Sequence, residues 1–150
     1  MRKSKTIKEF KNFKMTPEVF KHRKKVINVL YELKNMGYSL PRIDVRIGHS
    51  NECNTLAFAK LNQNIIWISE RAIEQTENKF YHTVLHELIH TIYGCEHDEK
   101  CHIMSTYQPK VVYSKSKLLK IFKNYYNKYN NITTKQLEVA WNLIADKVII

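Results

Sequence analysis

Tyr81-His82-Thr83-Val84-Leu85-His86-Glu87-Leu88-Ile89-His90-Thr91-Ile92-Tyr93-Gly94 is the stretch from which the rest of the chain is read. Tyr81, Val84, Leu85, Leu88 and Ile92 recur at i, i+3, i+4, i+7 and i+11, which predicts one amphipathic helix with a single apolar stripe. Thr76 or Asn78 suits its start, Glu77 favours the first turn, and Gly94 offers a left-handed stop. On such a helix His86 and His90 sit about 40° apart around the axis and about 6 Å apart along it, at the border of the stripe. Both imidazoles can reach one metal ion. Glu87 projects beside that ion instead of onto it, where its carboxylate can take a proton from an activated water. Three residues past Gly94 stands His97, within reach of a metal held by the other two.

Asp98, Cys101 and His102 then lead into Ile103-Met104-Ser105-Thr106-Tyr107. Taken with the histidines and the glycine, this run resembles the metzincins, zinc endopeptidases whose signature is H-E-x-x-H-x-x-G-x-x-H followed by a Met-turn. The resemblance covers roughly residues 43 to 107. It implies that His86, His90 and His97 bind one catalytic Zn2+, that Glu87 is the general base, that Gly94 makes the turn and that Met104 forms an apolar floor under the metal. It further implies that Tyr107 can swing in to donate a hydrogen bond; a packing or exposed tyrosine is the other reading. The chain leaves the family's spacing at one point. Thr91, Ile92 and Tyr93 separate the second histidine from the glycine where the family has two residues, so the third ligand arrives one residue late.

Leu56-Ala57-Phe58-Ala59 and Ile65-Ile66-Trp67-Ile68 are β-favouring runs joined by Lys60 to Asn64, a connection suited to a hairpin. The metzincin resemblance implies that Leu56, Ala57, Phe58 and Ala59 form the cleft's rim, to which a peptide substrate adds as a further strand. An ordinary core hairpin is the other reading. Leu85 to Thr91, followed by Gly94-Cys95, also resembles the SprT-like proteases, some of which act on proteins at DNA; these lack the Met-turn. A third reading is a non-catalytic nucleic-acid-binding module whose structural zinc is closed off by His82, Cys95 or Cys101.

At 150 residues the chain can bury a core as one domain, and 43% hydrophobic content is ordinary for a globular protein. Residues 1 to 14 read as a basic, flexible arm. With no signal peptide and no stretch able to span a membrane, the expected location is the cytoplasm. Thr16-Pro17 starts a helix through about Met36 with Phe20, Ile27, Leu30 and Leu33 inward, ended by Gly37. Ile43, Val45 and Ile47 alternate with Asp44 and Arg46 as a half-buried strand. Past Pro109 two helices are expected, one inward-facing through Leu118, Ile121, Phe122, Tyr125 and Tyr129, the other through Leu137, Trp141 and Ile144. The expected fold is thus a small zincin-like single domain of α+β class, residues 1 to 150. It has a mixed sheet with an antiparallel edge strand, an active-site helix and C-terminal helices.

Three cysteines cannot all pair, and they read as mostly reduced thiols. Cys95 and Cys101 flank His97, where they could brace the ligand loop by a cross-link, compete for zinc or stay free. A fourth ligand would close the shell a hydrolase keeps open, so His82 reads as a supporting or cleft-lining residue. His102 is an alternative ligand. The net charge of +11 concentrates toward both ends of the sequence, which makes nucleic acid a candidate partner beside the peptide substrate. Lysine outnumbers arginine, however, and this also fits a composition bias.

Overall fold

The computed structural model describes residues 17–48, 56–130 and 148–149. Helix α1 spans Pro17–Asn35 and strand β1 Asp44–Gly48. The hairpin strands β2 (Ala57–Lys60) and β3 (Ile65–Ser69) follow. Next come a single-turn helix α2 (Glu70–Ile73), helix α3 (Glu77–Tyr93), helix α4 (Lys115–Asn130) and strand β4 (Val148–Ile149). The domain is of α+β class. Its sheet is mixed, with order β1-β3-β2-β4; β1 runs parallel to β3, and β2 runs antiparallel to both β3 and β4. No described helix is long and apolar enough to cross a membrane.

Register explains which sheet face meets the helices. Val45 pairs with Ile66 and Ile47 with Ile68 across β1 and β3, while Ala59 and Ala57 pair with the same two isoleucines from β2. All six belong to the buried core shared with α1, α3 and α4. The alanines matter because a small side chain lets a helix lie close to the strand beneath it, and α3 packs directly over β2. On the opposite face Phe58 and Trp67 stack with ring centres 4.6 Å apart.

The α3 stripe is buried at Tyr81, Val84, Leu85 and Leu88, but burial extends nearly all round the helix, taking in Phe80, Ile89 and Thr91 as well. Lying between the sheet and α4, α3 is the central element of the domain. Thr91 ties it to the hairpin: its hydroxyl donates to Lys60 O at 2.8 Å and accepts from Ile65 N at 2.9 Å. The hairpin turn uses Asn62 and Asn64 at φ 58° and 55°, a left-handed conformation that asparagine tolerates well.

Two expectations are corrected, and two elements are added. Phe20 does not face inward but is 60% exposed, and the α1 core is made by Val19, Val26, Val29, Leu30 and Leu33. Phe20 lies about 100° around the helix from Val19, outside the stripe that Val26 and Leu30 continue. Of the two candidates for the start of α3, Thr76 is the N-cap residue, as expected, but its side chain makes no capping bond, and Asn78 lies inside the helix. Helix α2 and strand β4 were not expected; α2 is only one turn and is capped by Ser69, whose hydroxyl accepts from Ala72 N. The expected helix through Leu137, Trp141 and Ile144 and the basic arm at 1 to 14 lie outside the described residues.

Candidate metal centre

Residues four apart share a helix face, and the Nε2 atoms of His86 and His90 lie 3.0 Å apart. His97 joins them from the loop after the helix, its ring centre 5.3 Å from that of His86 and 5.0 Å from that of His90. One nitrogen of each imidazole lies within 4.8 Å of the other two. The three histidines therefore form a cluster able to hold a metal ion.

The late arrival of His97 is absorbed by the helix itself. Thr91, Ile92 and Tyr93 are all helical, and the chain turns only at Gly94, at φ 68°, with the Gly94 N–H donating to His90 O at 3.1 Å. A β-carbon at Gly94 would collide with Asn62 Nδ2 and stand 2.8 Å from Asn62 Cγ. The hairpin turn thus presses against the residue that redirects the chain toward His97.

Two backbone carbonyls set the orientation of the helix-borne imidazoles. His86 Nδ1 donates to Ile103 O at 2.6 Å, and His90 Nδ1 donates to Cys95 O. A carbonyl can only accept, so each ring carries a proton on Nδ1, and in its neutral form it presents a lone pair at Nε2. Two such lone pairs facing one another at 3.0 Å repel unless a cation or a proton lies between them. Nitrogens bound tetrahedrally to zinc at 2.0–2.1 Å stand about 3.3 Å apart, so the donor type and the spacing both fit a metal ion.

Glu87 is 1% exposed, and its Oε1 lies 3.8 Å from His86 Nε2. Neither carboxylate oxygen accepts a hydrogen bond. Burial holds its carboxyl well above the ordinary carboxylate range, since water can no longer solvate the anion. A buried carboxylate with no donor is costly, and a neighbouring cation would relieve that cost.

The other candidates sit elsewhere. His82 is buried beside His86 and its Nε2 donates to His102 O at 3.0 Å, which makes it a support for the following loop; burial lowers its pKa. The His102 ring stacks on Tyr113 at 3.5 Å, and its Nε2 accepts from Tyr113 N at 2.9 Å. Cys95 and Cys101 are free thiols, and neither belongs to the metal-holding group found among the described residues. Burial pushes the Cys95 thiol up, away from the thiolate a metal would take.

Met104 is fully buried in the core, and its carbonyl accepts from Asp98 N at 2.8 Å, tying down the residue next to His97. Tyr107 is 84% exposed, and its backbone carbonyl accepts from Ser105. Of the residues expected at a cleft rim, Leu56 is half-buried, while Ala57, Phe58 and Ala59 are buried. Strand β2 is not the edge strand that was expected: it lies between β3 and β4, which pairs with it at Ala59 and Lys60, so an added peptide strand would have to stop at Phe58 or displace β4.

Sequence reasoning did not find the supporting groups, namely the Ile103 and Cys95 carbonyls, Thr91 and Asn62. A carbonyl carries no side-chain signal, and the other two are ordinary polar residues until the hairpin is placed. Comparison with protein-family models, with curated proteins and with solved structures gives no match to this chain.

Proposed function

We propose that the protein is a zinc-dependent endopeptidase of metzincin-like type, with Glu87 as general base. The observation that carries this reading is a three-histidine cluster beside a buried carboxylate that accepts no hydrogen bond. His86, His90 and His97 would hold the ion, and an all-imidazole donor set suits zinc. When bound, such an ion polarises the scissile carbonyl and acidifies a water molecule. The chain's own residues do the rest. The carbonyls of Ile103 and Cys95 orient His86 and His90, and Gly94 steers His97. Glu87 takes the proton of the attacking water on a carboxylate oxygen and returns it to the leaving amine. No fourth His, Cys, Asp or Glu joins the cluster among the described residues, which favours an open, hydrolytic site over a closed, structural one.

The test combines metal analysis with hydrolysis of a mixed fluorogenic peptide library by the full chain. Glu87→Gln should retain about one zinc per chain while hydrolysis falls by about 10²–10⁴-fold. His97→Ala should lose most of the zinc, whereas His102→Ala, Asp98→Asn and Cys101→Ser should keep it. Undiminished proteolysis in Glu87→Gln would overturn the mechanism, and a wild-type chain that takes up no zinc would overturn the metal centre.

A further inference from the structure

Lys79, His82, Thr83, His86 and His90 recur along α3 at i, i+3, i+4, i+7 and i+11, so they share one face of the helix. The segment that follows the ligand loop is laced to this face. At its far end the Gln108 amide nitrogen donates to Lys79 O and to Thr83 Oγ1, each at 3.0 Å, and the Gln108 amide oxygen accepts from Gln75 Nε2 at 2.9 Å. Nearer the histidine cluster, His82 Nε2 donates to His102 O at 3.0 Å, and His86 Nδ1 donates to Ile103 O at 2.6 Å. Two histidines one turn apart thus hold two successive carbonyls of one backbone.

The side chains of Ile103 and Met104 are fully buried, which fixes where the segment runs. The direction of the Ile103 carbonyl depends further on backbone rotation, and a bond to the preceding peptide restricts that rotation. His82 is itself buried and makes this bond away from bulk water. Ser105 Oγ also reaches His102 O, at a longer 3.4 Å.

We infer that His82 is a positioning residue for the first metal ligand: by holding His102 O it sets the adjoining Ile103 O, which fixes the imidazole of His86. The inference rests on the metal-centre reading above. A ring already held at Nδ1 loses less rotational freedom when Nε2 takes a metal, so His82 strengthens metal binding without touching the metal. Packing offers a different route, since the His82 and His86 rings lie within 15° of parallel with centres 6.4 Å apart. The two routes ask different things of residue 82: the bond needs a donor, whereas packing needs a flat ring.

The experiment compares wild type with His82→Phe, which keeps a ring and loses the N–H, and with His82→Gln, whose amide keeps a donor at similar reach without the ring. Zinc affinity of the full chain is measured by competition with a chromophoric chelator. Exchange of the His86 Nδ1 proton with water is followed by NMR in the metal-free protein. His82→Phe should bind zinc about tenfold more weakly, in line with the loss of groups that orient metal ligands, and its His86 proton should exchange faster. His82→Asn, whose amide falls short of His102 O, should repeat both changes in a second variant. His82→Gln should stay near wild type in both measurements. Wild-type zinc affinity in His82→Phe and His82→Asn would overturn the inference. An equal loss in His82→Gln would overturn it too, by assigning the effect to ring packing. If the wild-type chain binds no zinc, the metal centre fails separately, and unchanged His86 proton exchange in His82→Phe and His82→Asn would still overturn the positioning role.

Discussion

Gly94 shows how much one residue decides. Its left-handed backbone turns the chain toward His97, and the Asn62 amide occupies the space a side chain would need. Gly94→Ala should cost about 1–2 kcal/mol from the left-handed backbone alone, with the contact against Asn62 added. Urea unfolding of Gly94→Ala and of Asn62→Gly/Gly94→Ala, each against its own Gly94 parent, separates the two, since glycine at 62 removes the side chain and keeps the left-handed turn: the Asn62→Gly background should recover only the contact, and full recovery would show that the backbone is unstrained. The glycine was legible as a helix stop because helix ends follow local rules. Its packing against Asn62 was not, since the hairpin lies some thirty residues earlier. Phe20 teaches the converse: hydrophobicity alone marked it as core, whereas its angular position on α1 leaves it exposed.

Among the elements, α3 carries the histidines and holds the hairpin and the following loop in place. Thr91→Val keeps the shape of a buried side chain but leaves Lys60 O and Ile65 N without the hydroxyl, and should cost about 1–3 kcal/mol of stability. A loss below a few tenths of a kcal/mol in denaturant titration would mean that water replaces the hydroxyl. His82 adds a pH dependence. Burial first, and His102 to a smaller extent, favour its neutral ring and lower its pKa, outweighing the backbone bond that favours the charged form. The unfolded chain therefore binds the proton first. His82 contributes stability that is present above about pH 6.5 and is lost as pH falls through the lowered folded value. Unfolding midpoints measured from pH 7.5 downward should thus fall less steeply in His82→Gln than in wild type, and parallel slopes would refute the assignment.

At the scale of the whole molecule, one apolar core joins sheet and helices, and the histidine cluster sits at its border. The metal should therefore stabilise the fold without being required for it. Zinc at a hundredfold excess over its Kd should add about 2.7 kcal/mol, and chelation should lower Tm without unfolding the domain. His97→Ala should lose most of that increment while its metal-free circular dichroism stays native-like. Collapse of the wild type on chelation would point to a structural metal instead. The α3 helix, the His86–His90 pairing, the β2–β3 hairpin and the alternation in β1 were determined by sequence alone, because each depends on the repeat of a single local element. The parallel pairing of β1 with β3, the arrival of β4 beside β2, the grouping of His97, and not His82 or His102, with His86 and His90, and the packing of α4 against α3 were decided only by the tertiary structure. These depend on where distant segments meet, and carbonyls and aromatic faces acquire partners only when packing brings those segments within a few ångströms.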